Sequence, residues 1–326
     1  MSRHSRAAVR AEGLRKLFGR VAAVEGIDLA VDEGEIFALL GPNGAGKSTT
    51  IRMLTTLLRP TAGRAWVAGF DVATQARHIR RHIGVALQEA GLDELATGTE
   101  LLVLQAELYG VVGREARKRA ATTLDLVGLS DVGQRQVKTY SGGMKRRLDL
   151  ASALINHPRV LFLDEPTAGL DPASREVVWD EIRRLNHEHG ITVILTTHYL
   201  EEADRLARRL AIIDHGRIVA QGTPDELKGS IGSDVVTVAV AAEDLAHARR
   251  ALSTLDGLLQ VRDDERGLTL FVDDGTAAVV NIVRLLDDAL IPVGSVALSR
   301  PTLDEVFLRT TGFRIKHAST NQEVAA

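Results

Sequence analysis

Eight consecutive residues, Gly41, Pro42, Asn43, Gly44, Ala45, Gly46, Lys47 and Ser48, constrain this chain more than any other stretch. They fit the pattern G-x-x-x-x-G-K-[ST], follow an apolar run from Ile36 to Leu40, and precede a segment of helical spacing from about Lys47 to Leu58. A strand that turns into a helix through glycines leaves successive backbone N–H groups pointing inward, where a side chain would block the approach of an anion. The helix N-terminus adds partial positive charge. Lys47 is expected to reach the β- and γ-phosphates of a bound nucleotide and the Ser48 hydroxyl to ligate Mg²⁺, with Thr49 extending the same helix start. The bland alternative, a glycine-rich turn ending in an exposed lysine, leaves the flanking strand and helix unexplained.

A second apolar run, Val160 to Leu163, ends in Asp164 and Glu165. Both carboxylates then emerge at the C-terminal edge of a sheet, the edge at which open α/β sheets bind ligands. Asp164 suits a Mg²⁺ role through the metal's water shell. Glu165 alternates to the other side of the strand end and is expected to take a proton from, or orient, the water that attacks the γ-phosphate. The alternative, an acid before Pro166-Thr167 that simply starts a turn, has the lesser weight even taken alone and loses nearly all of it after a phosphate loop.

Further near-continuous apolar runs, Thr192 to Thr196 and Leu210 to Ile213, suit strands covered on both faces. The first 225 or so residues therefore read as an α/β domain. From Gly91 to about Asn156 the strand signal gives way to helical spacing over Thr99–Leu108, Arg114–Val127 and Ser141–Asn156, which predicts a helical lobe inserted in the sheet domain. The Gly-Ser stretch Gly229–Ser233 marks a boundary. Beyond it the pattern predicts strands at Val235–Ala241, Leu259–Arg262, Leu268–Val272 and Val293–Leu298, with helices at Glu243–Leu255 and Thr276–Leu290. That order, βαββαβ, is the ferredoxin-like arrangement of a small α+β domain. The expected domains are 1–228, with the lobe at about 91–156, and 234–312, with 313–326 as a flexible tail.

The chain has 326 residues, 45% of them hydrophobic and 25% charged, which are ordinary globular values. A net charge of −3 gives no basic footprint for nucleic acid, and the absence of cysteine removes disulfide scaffolds and thiol chemistry together. No stretch approaches the roughly 18 apolar residues that would span a bilayer, so a membrane role requires another polypeptide.

Tyr140-Ser141-Gly142-Gly143-Met144, followed by the basic run Lys145-Arg146-Arg147, resembles the signature of ABC ATPases. Tyr140 and Met144 depart from the usual Leu and Gln, while Ser141, Gly142 and Gly143 keep the anion-binding centre: a helix-capping hydroxyl and two exposed backbone donors. The resemblance implies that this turn faces ATP bound by a second ATPase subunit, so that a homodimer encloses two ATP. It also implies that Gln88 touches Mg²⁺ and water, that Asp171 in Gly169-Leu170-Asp171 crosses the dimer interface, and that His198 holds the γ-phosphate. Phe18, before the first strand pair, resembles the aromatic that stacks on adenine, with a core aromatic as the alternative. His78 and His82 have a spacing that could hold a metal on a helix face, but no third ligand is in view.

Thr139–Met144, Tyr199-Leu-Glu-Glu-Ala-Asp204, Ile213-Asp-His-Gly216 and Leu303-Asp-Glu-Val-Phe-Leu308 resemble ATPase subunits of daunorubicin-resistance-type exporters over nearly the whole chain. That likeness implies an ATPase on the cytoplasmic face of the membrane, coupled to an integral membrane permease that contacts it near Gln88 to Glu100. It also implies export of a drug, antibiotic or other amphipathic compound; of two roles for the accessory domain, stabilising the dimer or sensing a ligand, the first is favoured because nothing in its sequence looks like a site. The alternatives are an importer ATPase, or a soluble ABC ATPase acting on ribosomes or DNA. The single phosphate loop and the lack of sustained heptads between Lys47 and Ser141 weigh against the soluble classes. A monomeric P-loop kinase or GTPase leaves the signature unexplained.

Overall fold

The computed structural model describes residues 7–88, 91–231, 234–264, 267–299 and 301–312. The expected tail, 313–326, lies outside them. The chain divides into two compact units, one ending at Pro224 and the other beginning at Asp225.

The first unit opens with a long antiparallel hairpin, β1 (Ala7–Phe18) and β2 (Val21–Asp32), and then enters β3 (Ile36–Leu40), every residue of which is buried. The phosphate loop leads into α1 (Lys47–Leu54). This helix stops short of the expected Leu58. The Thr55 hydroxyl bonds back to the Ile51 carbonyl, and Thr56 takes a positive φ of 64°, which ends the helical path and turns the chain. Next come β4 (Ala62–Val67), β5 (Phe70–Asp71), α2 (Ala76–His82) and β6 (Ile83–Ala86).

Three helices form the inserted lobe: α3 (Gly98–Leu108), α4 (Gly113–Leu126) and α5 (Gly142–Leu154). Thr97 and Glu100 close a capping box at the start of α3, and the Ser141 hydroxyl caps α5. The chain returns through β7 (Val160–Asp164), α6 (Pro172–His189), β8 (Thr192–Thr197), α7 (Leu200–Leu206), β9 (Arg209–Asp214) and β10 (Arg217–Gly222).

These strands make two sheets. One is antiparallel, in the order β2-β1-β4-β5. The other runs β10-β9-β3-β8-β7-β6, parallel except at the β10 edge. The near-continuous apolar character of β3, of β7 up to Asp164 and of the middle of β8 follows from burial on both faces of that parallel sheet. Its carboxyl edge gathers the ends of β3, β7 and β8, and therefore the phosphate loop, Asp164 with Glu165, and Thr196 with His198.

In the second unit α8 (Pro224–Ile231), which starts at the unit boundary, precedes β11 (Asp234–Ala239), α9 (Leu245–Leu252), β12 (Leu258–Asp264), β13 (Gly267–Val272), α10 (Gly275–Asp288), β14 (Ser295–Ser299) and α11 (Leu303–Thr311). The Gly-Ser stretch read as a break begins inside α8, where the Ser230 hydroxyl bonds to the Leu227 carbonyl. The four strands form an antiparallel sheet in the order β12-β13-β11-β14, the ferredoxin-like topology. Val236, Val238, Leu268 and Leu270 bury one sheet face against Leu252 of α9 and Ile282 and Leu286 of α10. Among the described residues, no helix is long and apolar enough to cross a membrane.

Candidate active site

The phosphate loop is held by its neighbours before any ligand is considered. A Cβ on Gly41 would fall 2.3 Å from the Ile213 carbonyl oxygen, and one on Gly46, at φ 107°, would fall 2.5 Å from the Ala23 oxygen. Only glycine fits either position. The loop tip, Asn43 and Gly44, is exposed, whereas Ala45 and Lys47 are buried. Lys47 curls back so that Nζ donates to the Gly41 oxygen at 2.7 Å and the Pro42 oxygen at 3.1 Å. Burial lowers its pKa, against the pull of the Glu165 carboxylate.

Glu165 is the hub. Its carboxylate lies 3.5 Å from Lys47 Nζ and 3.2 Å from His198 Nδ1, and accepts from Gln88 Nε2 at 3.3 Å. Four residues singled out from separate stretches of sequence thus meet at one group. The His198 contact holds the Glu165 carboxyl below the usual carboxylate range, with help from the Lys47 charge and in opposition to burial. Glu165 also has a positive φ of 50°, a strained conformation for a side chain of this kind. Its N–H is fixed there by the Thr196 carbonyl at 3.1 Å and hydroxyl at 3.0 Å.

Asp164, one residue earlier, faces the loop and accepts from the Ser48 hydroxyl at 3.0 Å and the Thr196 hydroxyl at 2.5 Å. A carboxylate oxygen beside a serine hydroxyl is a donor set for a small, hard divalent cation. Among the described residues no group of three or more His, Cys, Asp or Glu could hold a metal by itself. The Asp164–Ser48 pair fits an ion such as Mg²⁺, which takes few protein oxygens and completes its shell with water and phosphate.

At the start of α5 the Ser141 oxygen accepts from Met144 N–H at 3.2 Å. Cβ atoms on Gly142 and Gly143 would lie 3.6 Å from Leu170 and 3.2 Å from the Ser174 hydroxyl, so the signature turn abuts the Gly169-Leu170-Asp171 segment. Asp171 caps α6 through Ser174, accepting from its N–H at 3.0 Å and its hydroxyl at 2.6 Å. Tyr140 has a structural reason to replace leucine: it is buried, and its hydroxyl donates to the Val132 carbonyl at 2.8 Å. Nothing in the structure explains Met144.

Phe18 does not precede the first strand pair. It is the last residue of β1, paired with Val21, because the hairpin runs further toward the loop than its apolar pattern indicates. At 51% exposure it is not a core aromatic, and it lies a few residues along the hairpin from Ala23, which borders Gly46. His78 and His82 both pack against the Phe70 ring, at 5.2 Å between centroids, which accounts for their spacing without a metal.

Sequence reasoning missed three groups. Thr196 joins Asp164 to the Glu165 backbone, but it looks like any residue of an apolar strand. Glu202 is fully buried and accepts from the Thr167 hydroxyl at 2.7 Å and Trp179 Nε1 at 2.8 Å; burial raises its pKa. Arg146 is largely withdrawn from solvent, with its side chain 11% exposed, although it sits in what reads as a surface basic run.

A family model for ABC transporters matches residues 24–168, and a second, described as the C-terminal domain of DrrA1-3-like ATP-binding proteins, matches residues 222–311. The daunorubicin resistance ATP-binding protein DrrA2 of Streptomyces coeruleorubidus is 47% identical over 97% of this chain and 98% of its own length. The doxorubicin resistance ATP-binding protein DrrA of Mycobacterium tuberculosis is 42% identical over 93% of both. The linearmycin resistance ATP-binding protein LnrL of Bacillus subtilis is 36% identical over 93% of this chain and 98% of its own length. Among solved structures, a dimeric ATP-binding cassette in a post-hydrolysis state with ADP and phosphate superposes with a TM-score of 0.60 at 28% identity, covering 66% of this chain and 98% of that one. With site geometry, cassette fold and full-length likeness in agreement, the chain belongs to the daunorubicin-resistance type of ABC transporter ATP-binding subunits, a family of ATPases.

Proposed function

We propose that two copies of the chain close around two ATP molecules, and that hydrolysis drives export of a drug, antibiotic or other amphipathic compound through a separate integral membrane permease. The observation that carries this reading is the convergence of Lys47, Gln88 and His198 on Glu165, beside the Asp164–Ser48 pair. Residues Gly41 to Thr49 cradle the phosphates, and Lys47 exchanges its loop carbonyls for the β- and γ-phosphate oxygens. Glu165, kept ionised by its neighbours, accepts the proton of the attacking water. Gln88 orients that water and His198 holds the γ-phosphate. Ser48 and Asp164, with Gln88, hold Mg²⁺, which when bound neutralises charge on the phosphate oxygens. Phe18 presents an exposed face to adenine.

Ser141, Gly142 and Gly143 address the ATP held by the opposite copy, with Asp171 on the same interface; the dimeric state of the solved cassette supports this arrangement. A cavity of about 560 Å³ where the helical lobe meets the β6 edge, lined by Leu57, Leu92, Asp93, Leu101, Leu104 and Tyr109, suits the permease's cytoplasmic surface. The drug-resistance names of the relatives favour export over import and over the ribosome or DNA alternatives. The subunit then works on the cytoplasmic face of the membrane, where ATP is supplied.

Purification of the tagged chain from native membranes in mild detergent tests the reading. It should recover one integral membrane protein together with ATPase activity stimulated by amphipathic drugs. Recovery of ribosomes, or an activity indifferent to every such compound, would contradict it.

A further inference from the structure

Arg146 lies one turn into α5, the helix that Ser141 caps, and its side chain is only 11% exposed. Its guanidinium makes four hydrogen bonds. Nε donates to the Pro166 carbonyl at 2.7 Å, Nη2 to the Asp164 carbonyl at 3.1 Å, and Nη1 to both the Leu87 carbonyl and the Asp149 carboxylate at 2.8 Å. The three carbonyls belong to the residue before Gln88, to Asp164 itself, and to the residue after Glu165. One planar fork therefore spans both segments that carry the water-handling side chains, and it is rooted in the helix whose first turn carries Ser141, Gly142 and Gly143. A lysine could not do this, because its three donors radiate from a single point. Asp149, one turn further along α5, orients the fork and balances its buried charge.

We propose that Arg146 is a positioning residue for hydrolysis: it ties the placement of the signature helix to that of Glu165 and Gln88, so that displacement of α5 is transmitted to the groups that handle the attacking water. This rests on the reading that Glu165 and Gln88 act on that water. The strained backbone of Glu165 strengthens the argument, since a residue held at positive φ keeps its direction only while its surroundings over-determine it. Thr196 supplies that restraint from β8, and Arg146 supplies it from α5 through the carbonyls on either side of Glu165.

The test compares Arg146→Lys, Arg146→Gln and Asp149→Asn with the wild-type full chain, measuring kcat, KM, the Kd for a fluorescent ATP analogue and the melting temperature. Arg146→Lys should keep Kd and KM within about threefold while kcat falls about 10- to 100-fold, the loss expected when reacting groups are misplaced by about 1 Å. Asp149→Asn leaves the three carbonyl bonds in place and should lose less. Wild-type kcat in Arg146→Lys would overturn the proposal. So would a kcat loss that merely tracks melting temperature across the three variants, since a purely structural pin predicts that pattern. Glu165→Gln, assayed alongside, separates the two levels: if it still turns over, the reading of Glu165 fails, whereas if it is inactive and Arg146→Lys is fully active, only the positioning role fails.

Discussion

Replacing Lys47 by alanine removes an ammonium group that is 4% exposed and fixed between the Gly41 and Pro42 carbonyls and the Glu165 carboxylate. A charge-assisted hydrogen bond to an anion contributes about 1.5–3 kcal/mol, and a lysine here addresses two phosphates, giving a gross stake of about 3–6 kcal/mol. In the free chain the same protons are already bonded to loop oxygens, so ATP binding exchanges partners and the low end applies. A loss of about 3 kcal/mol corresponds to a Kd raised roughly 100- to 200-fold. Fluorescence anisotropy of a labelled ATP analogue measures this, with a thermal melt as the folding control. The fold should survive, because Glu165 keeps its contacts with His198 and Gln88. A folded Lys47→Ala protein that binds the analogue within about threefold of wild type would refute the assignment of this lysine to the phosphates.

Ser141→Arg puts a long cation where the opposite copy's γ-phosphate should sit, so nucleotide binding to the isolated chain should persist while turnover is lost; wild-type turnover would remove the split site. Tyr140→Phe leaves the Val132 carbonyl without its donor and should lower stability by about 1–2 kcal/mol in denaturant titration, whereas an unchanged midpoint would show that water replaces the bond. Burial pushes the Asp149 carboxyl up to about 6 from an ordinary 3.8. The folded chain then holds that proton more tightly than the unfolded chain does, so the destabilising ionisation is absent below about pH 4 and complete above about pH 6. The stability difference between Asp149→Asn and wild type should therefore shift in favour of the variant as pH rises from 4 to 7. A difference that does not vary with pH would contradict the shift.

The phosphate loop, the paired acids and the signature were legible because their chemistry demands particular residues in consecutive positions. The end of α1 was less so, since Leu57 and Leu58 continue the apolar spacing while the Thr55 hydroxyl and the positive φ of Thr56 end the helix before them. The place of Phe18 at the end of β1 is not legible, because a hairpin's reach depends on cross-strand pairing that one strand does not display. Arg146 and Thr196 were not legible at all. Their roles lie in partners far along the chain, Leu87 and Pro166 for one and Asp164 for the other, and neither partner alters the local pattern. Helix α11 is short, and its start is marked in the sequence only by the capping box of Thr302 with Glu305.

In the proposed mechanism each chain carries two half-sites, and Glu165 performs the hydrolytic step between two copies. Size-exclusion chromatography with light scattering on Glu165→Gln tests it most directly. The variant should double in mass with Mg²⁺ and ATP, revert to the single chain without nucleotide, lose the dimer when Ser141→Arg is added, and show no measurable phosphate release. A Glu165→Gln protein that stays monomeric in saturating ATP, or that hydrolyses it at the wild-type rate, would contradict it.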